Sequence, residues 1–255
     1  MSETIGLVLL RTLRQLSWIQ RFFLLVIGCN IVLILAGIFI VPSALASWAG
    51  VGTILGDIVM QLALASLALF GPSSFQRYRR SIGFSLLFGL LFALLYDGVI
   101  FGDFAGIYVD VNIYALFLGA GLLAGGIATY QTQQLHQGVV VAIWALVIGT
   151  VLWSVGVLAI NYATWGSHQQ YLFWLNDGAI DDFHRSGSTD LNASLLQDLQ
   201  GALFFHPLFS AVLGVLSGLV GGGAAKGIGL LQQALLRRTR EEGEPLSQEE
   251  GRNHA

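Results

Sequence analysis

Apolar residues run along this chain in blocks about as long as a bilayer is thick, separated by short polar breaks. A spanning helix needs about 20 apolar residues, since each adds about 1.5 Å across a hydrocarbon core of about 30 Å. Six runs meet that length: Phe22–Val41, Val51–Phe70, Ile82–Phe101, Val111–Tyr130, Val139–Tyr162 and Ala202–Gly222. The pattern predicts an all-α, polytopic membrane bundle of about six transmembrane helices spanning residues 22–240. Ahead of it, Ile5, Val8, Leu9, Leu13, Leu16 and Ile19 recur at helical spacing, with Arg11, Arg14 and Arg21 off the stripe. That predicts an amphipathic interfacial helix over residues 1–21.

Between the fifth and sixth runs lies the long loop 163–201. In its second half, Leu191, Leu195 and Leu199 fall four apart, which predicts a short helix over Thr189–Gln200 capped by Ser188 or Thr189. Its first half carries Trp165, Tyr171, Phe173 and Trp174, residues suited to the membrane–water interface. After the last run, Gly227–Arg240 continues in helical pattern. The polar segment 241–255, with Gly243 and Pro245, is expected to be disordered.

Composition agrees with a lipid-solvated chain. Hydrophobic residues make up 55% and charged residues 11% of the 255, against about 25% charged in soluble domains. Mean hydropathy is +0.72. The first run, at 20 residues, is too long for the apolar core of a secretory signal and reads as an anchor. The lone Cys29 cannot form an intrachain disulfide.

Charge placement orients the spans. With the N-terminus inside, 11 of the 12 basic residues fall on the inner side: Arg11, Arg14, Arg21, Arg77, Arg79, Arg80, Lys226, Arg237, Arg238, Arg240 and Arg252. Only Arg185 falls outside. The positive-inside rule therefore predicts both termini in the cytoplasm. The expected location is a bacterial cytoplasmic membrane. The outer side is acidic, with Asp103 and Asp110 in one loop and Asp177, Asp181, Asp182, Asp190 and Asp198 in the other.

Two groups of residues invite a structural or chemical role. Ser210, Gly214, Gly218 and Gly222 form a small-residue stripe spaced four apart, and Gly121 and Gly125 repeat the spacing. Such stripes let helices approach closely, within one chain or between subunits. The second group is polar residues inside spans. Asp57 lies about two turns, and Asp97 about one turn, inside the outer ends of their runs, and His206 about one turn below the outer end of the last. With Gln61, one turn beyond Asp57, they make a candidate outer-side polar vestibule for a cation or proton; the rival reading is contact with headgroups and water. Asn30 and Gln61, deeper, suit interhelical hydrogen bonds. His206-Pro207 could hold a pigment through one ring nitrogen. The other histidines lie outside the runs, so a two-histidine haem site in the membrane is disfavoured. No cofactor is identified from sequence.

No nucleophile elbow, phosphate loop, dinucleotide fingerprint or metal motif occurs, so the chain is expected to be neither an enzyme nor a metal site. Nothing suggests a nucleic-acid partner. The order of features — amphipathic helix, six spans, a basic loop after the second and a long outer loop before the sixth — resembles the layout of ABC-2-type transporter permeases, in topology alone. That resemblance implies a permease-type transport component with a cytoplasmic ATPase meeting Phe75–Ser81, where Arg77, Arg79 and Arg80 cluster; the alternative for these arginines is contact with anionic lipid. The other functional reading is a non-catalytic accessory or scaffold subunit of a larger membrane complex, holding lipid or pigment.

Overall fold

A computed structural model describes residues 17–70, 79–105 and 113–243. Among them are eight α-helices, a short 3-10 turn and no strand. The helices are α1 (Trp18–Ile40), α2 (Trp48–Phe70), α3 (Arg79–Phe104), α4 (Ile113–Thr132), α5 (Leu135–Ala163), α6 (His168–Asp177), α7 (Ala179–Ser186) and α8 (Leu191–Gly243). All but α6 and α7 are long and apolar enough to cross a membrane, which gives six spans. The protein is an all-α, multi-pass membrane bundle.

Local signals set the ends. Ser17 caps α1 through a reciprocal box: its hydroxyl accepts from the Gln20 amide, and the Gln20 side chain accepts from the Ser17 amide. Pro42 stops α1, because the residue before a proline is steered out of the helical region, and Val41 sits at φ −132°, ψ 74°. Ser47 opens α2 by accepting from the Gly50 amide at 2.9 Å. Gly178 and Gly187, at φ +87° and +70°, make the turns around α7, a conformation that side chains with a Cβ disfavour.

Several boundaries differ from the expected ones. Residues 18–21, expected in a surface helix, form the first turn of α1, and Ile19 is buried there; residues 1–16 lie outside the described residues. Arg79 and Arg80, expected in a loop, begin α3, whereas Arg77 lies outside the described residues. The largest difference is α8. The separate helix expected over 189–200, the span at 202–222 and the extension at 227–240 are one helix of 53 residues. Gly201 alone costs only about 1 kcal/mol in a helix, too little to break it. Pro207 is tolerated because neighbouring helices and polar side chains can compensate the missing amide in a membrane. The cap is Asp190, whose carboxylate accepts from the Ala193 amide at 3.0 Å, rather than Ser188 or Thr189.

The long helices alternate in direction. Gln20 at the start of α1 donates to the Ala68 carbonyl near the end of α2, and Gln197 near the start of α8 donates to Ser47 before α2. One end of the bundle therefore gathers Arg21, Arg79, Arg80, Arg237 and Arg238. The other gathers Asp103, Asp177, Asp182 and Asp198, together with Arg185, which pairs with Asp182 at 3.2 Å. These are called the basic and the acidic end. Helix α5 is the hub, with residues such as Leu146, Val151 and Leu158 fully enclosed. Outward faces are apolar, for example Val32 and Phe39 on α1 and Val59 and Leu62 on α2, as lipid requires.

The glycine stripes are used inside this bundle. A Cβ on Gly214 would lie 2.5 Å from the Ile143 Cα, and one on Gly218 would lie 2.7 Å from the Val139 Cα. Gly222 meets Thr129, Gly121 meets Ser217, and Gly125 meets Gly218 itself. Ser210 shares a hydrogen bond with Thr150. Helices α4, α5 and α8 are thus in backbone contact, the geometry that small residues at every fourth position permit.

Candidate functional site

The vestibule expected from sequence does not form as one site; its members separate into three places. Asp57 is on α2, nine residues beyond Trp48, so about 14 Å from the start of a helix about 33 Å long. It is not shallow: α2 begins three residues earlier than expected, and that puts Asp57 near mid-helix. Only 1% of it is exposed, and neither carboxyl oxygen has a hydrogen-bond partner among the described residues.

Other unsatisfied polar groups accompany it. Gln61, one turn on and 2% exposed, leaves its Oε1 unpartnered. Asn30, ten residues from the acidic end of α1, lies between the levels of Asp57 and Gln61. Its amide donates to the Val151 carbonyl at 2.8 Å, while its Oδ1 finds no donor. Towards the acidic end, the Tyr162 hydroxyl lies against the Gln200 side chain and within electrostatic reach of Asp57. Neither the hydroxyl nor either polar atom of Gln200 is in hydrogen-bonding geometry. A methyl on Gly37 would collide with this hydroxyl, so Gly37 makes room for it. Tyr162, Gln200 and Asp57 form a buried polar seam drawn from α2, α5 and α8, with Gln61 one turn beyond Asp57 and Asn30 of α1 at a matching depth. Buried polar groups are normally satisfied. An ionisable group left unsatisfied within a membrane bundle is a candidate functional site.

Asp97 is elsewhere, with its carboxyl packed on α5 at Gly156; a Cβ there would sit 2.5–2.6 Å from the carboxyl atoms. Its Oδ1 is buried and unpartnered. Gly156 is the reason a carboxyl fits between α3 and α5 at all.

His206 forms part of a third place, a cavity of about 320 Å³ at the acidic end. Its imidazole ring lies 4.7 Å from the Trp153 ring, and its Nδ1 pairs with the Ala202 carbonyl at 2.6 Å. Tyr96 stacks on Trp153 at 4.8 Å with the planes 5° apart. Trp174 is 4% exposed and lines the same cavity. Asp177, Asp182 and Asp198 line it as well; Asp57, Gln61 and Asp97 do not. Outside the spans, the Asp177 carboxyl is pushed above its ordinary range by desolvation, then by repulsion from Asp103 and Asp182. Asp190 is held below its ordinary range by hydrogen bonds from Ser43 and from the Ala193 amide.

Sequence reasoning missed Tyr162 and Gln200. Tyr162 read as the last residue of a span, and Gln200 as part of an outer loop. The available signal was the apolar spacing through Leu191, Leu195 and Leu199, which continues into the sixth run without a strong breaker and carries Gln200 into the bundle. Among the described residues, no three His, Cys, Asp or Glu side chains are grouped to hold a metal ion. No family model, curated protein or solved structure matches this chain.

Proposed function

We propose that the chain is a permease-type transport component in which Asp57 takes up and releases a proton or small cation. The observation that carries this is a carboxyl 1% exposed, near mid-helix, with both oxygens unpartnered among the described residues. A carboxyl retained for architecture would have partners, because leaving it bare costs about 1–3 kcal/mol. A carboxyl retained to bind something transient is left without permanent partners. The seam supplies further groups for that guest: Gln61 and Asn30 at its own depth, Gln200 and Tyr162 towards the acidic end.

Orientation follows from the positive-inside rule, with the basic end and both termini in the cytoplasm and the acidic end outside. An intramembrane titratable group favours coupling to an ion gradient. A cytoplasmic ATPase on the segment leading into Arg79 and Arg80 would supply energy without one. The accessory-subunit reading is weakened because the glycine stripes, its best sequence support, are occupied by packing among α4, α5 and α8.

The test uses sealed membrane vesicles holding an imposed pH gradient, reported by an acridine dye. Candidate cargoes are added to vesicles carrying the wild-type chain or Asp57→Asn. A cargo that collapses the gradient with the wild type and not with the variant supports the reading. Identical responses across amines, amino acids, sugars and metal salts would overturn it. A stoichiometric ATPase retained in mild detergent would redirect it to ATP-driven transport.

A further inference from the structure

Between α5 and α8 the chain folds back over the acidic end as a two-helix corner, α6 and α7. Its first turn is tied down. Ser167 caps α6 by accepting from the Gln170 backbone amide at 3.1 Å, and the Gln170 side chain donates to the Asn161 carbonyl of α5 at 3.0 Å. The rest is held by little. Trp174, Ala179 and Ile180 reach the core, where they join Tyr96 and Ile100 of α3 and Leu195 and Leu199 of α8. No other residue of α7 is buried, and Gly178 and Gly187, both at positive φ, bracket it. Beneath the corner lies the cavity of about 320 Å³, walled by α6 and α7 on one side and by α3, α5 and α8 on the other. A segment with few apolar anchors, glycine turns at both ends of its outer helix and a cavity beneath it is the kind that opens locally while the rest of a fold stays intact.

The joint between this corner and the bundle is charged on both sides. Asp177 and Asp182 line the cavity from the corner, and Asp198 lines it from α8. Asp198 is within electrostatic reach of both, and Asp177 is within reach of Asp103 at the end of α3. Carboxylates thus meet across the joint, where like charges repel. Arg185 offsets one of them, pairing with Asp182 at 3.2 Å on the surface. The other titratable groups lining the cavity are Tyr96 of α3 and His206 of α8, whose Nδ1 pairs with the Ala202 carbonyl. Asp97 of α3 is turned to Gly156 instead. His168, Tyr171, Asp181 and His184 are on the exposed side of the corner. From α5 come Trp153, Val157 and Asn161, none of which ionises. Desolvation, then Asp103 and Asp182, raise the Asp177 carboxyl above its ordinary range. A group that holds its proton more tightly docked than free favours docking while protonated. That contribution is lost as pH rises through the docked value.

We propose that α6 and α7 are a pH-governed cap over the acidic end. With its carboxyls protonated the cap stays docked; as they ionise, repulsion from Asp103 and Asp198 loosens it about its glycine turns and opens the cavity to solvent. Acid closes this end of the bundle, and a shift towards neutrality frees it. As the outer gate of a permease this rests on the permease reading; as a conformational device it stands without it.

The experiment is hydroxyl-radical footprinting of the full chain in lipid nanodiscs, from about pH 4 to about pH 8, a range that starts at the ordinary carboxylate value. The readout is oxidation of Trp174, 4% exposed beneath the cap, relative to Tyr171, 47% exposed on the same helix. The ratio is expected to be low in acid and to rise severalfold with pH, with the level of Tyr171 as its ceiling. Asp177→Asn removes the charge and should keep the ratio low throughout. Should that variant fail to fold, Asp198→Asn removes the facing charge from α8 and should shrink the rise. Asp181→Asn, on the exposed side of α7, should follow the wild type. A ratio flat with pH, a ratio that rises as pH falls, or a rise unchanged in both Asp177→Asn and Asp198→Asn would each overturn the proposal. So would a rise that Asp181→Asn abolishes as fully as Asp177→Asn, since net charge rather than the joint would then govern it. Gradient collapse that depends on Asp57 with a flat footprint would sink this inference and spare the permease. A pH-dependent footprint without Asp57-dependent flux would do the reverse.

Discussion

Replacing Asp57 by leucine tests the reasoning most directly, because stability and function should move in opposite directions. The two side chains share a skeleton, each branching at Cγ to two heavy atoms, but the leucine methyls are larger than carboxyl oxygens, so the change opens no cavity and adds bulk whose overpacking costs up to about 1–3 kcal/mol where the neighbours do not yield. The wild-type carboxyl is 1% exposed with both oxygens unpartnered among the described residues. A buried unsatisfied polar group costs about 1–3 kcal/mol. Part of that cost cancels, because the disassembled helices also leave the carboxyl in or near hydrocarbon. Asp57→Leu is therefore expected to stabilise the bundle by about 1 kcal/mol, up to about 3 if cancellation is small. A carboxyl with one structural hydrogen bond would give the opposite sign, a loss of about 0.6–1.7 kcal/mol. A buried ion pair broken on one side would cost about 3–5 kcal/mol. The assay is reversible SDS unfolding from mixed micelles, followed by tryptophan fluorescence, with the vesicle measurement alongside. The expected result is a higher SDS midpoint and no Asp57-dependent gradient collapse. A midpoint lowered by more than about 3 kcal/mol, beyond what overpacking costs, would show that Asp57 has structural partners, and the functional argument built on it would fail.

Two further outcomes follow from the packing and the charges. Gly218→Ala and Gly223→Ala are the same change five residues apart on α8. The first places a methyl 2.7 Å from the Val139 backbone, and the second meets nothing within 4 Å. In the same SDS unfolding assay Gly218→Ala should destabilise by about 1–3 kcal/mol, as overpacking does. Gly223→Ala should be neutral or stabilising by up to about 1 kcal/mol; equal shifts would refute the close contact of α5 and α8. For pH, Asp177 has its folded pKa raised, by desolvation and then by Asp103 and Asp182. Its contribution to stability is fully present below the ordinary value of 3.8 and is lost as pH rises through the folded value. Asp177→Asn should therefore flatten the fall in melting temperature on that rise, and a profile unchanged from wild type would contradict the assignment.

The six spans were legible in the sequence because lipid imposes a length and a composition on each helix independently, and both can be counted along the chain. The α1 stop at Pro42 and the small-residue stripe on α8 were legible for a similar reason: each is a local rule acting within a turn or two. Which partner each surface meets is another matter. Sequence spacing put Gly218 on a close-packing face; only the fold shows that the partner is α5 at Val139 and α4 at Gly125. Counted along the runs, Asp57, Asp97 and His206 fall towards the outer ends, so apparent depth grouped them, although the earlier start of α2 sets Asp57 near mid-helix. Rotation about each helix axis then separated them, with Asp57 towards Tyr162 and Gln200, Asp97 onto Gly156, and His206 onto Trp153. Depth is a one-dimensional quantity that a chain of known rise encodes. Azimuth is set by the mutual packing of α1, α2, α3, α5 and α8, to which residues far apart in the chain contribute together, so the polar seam and the aromatic cavity come into being only when the bundle closes.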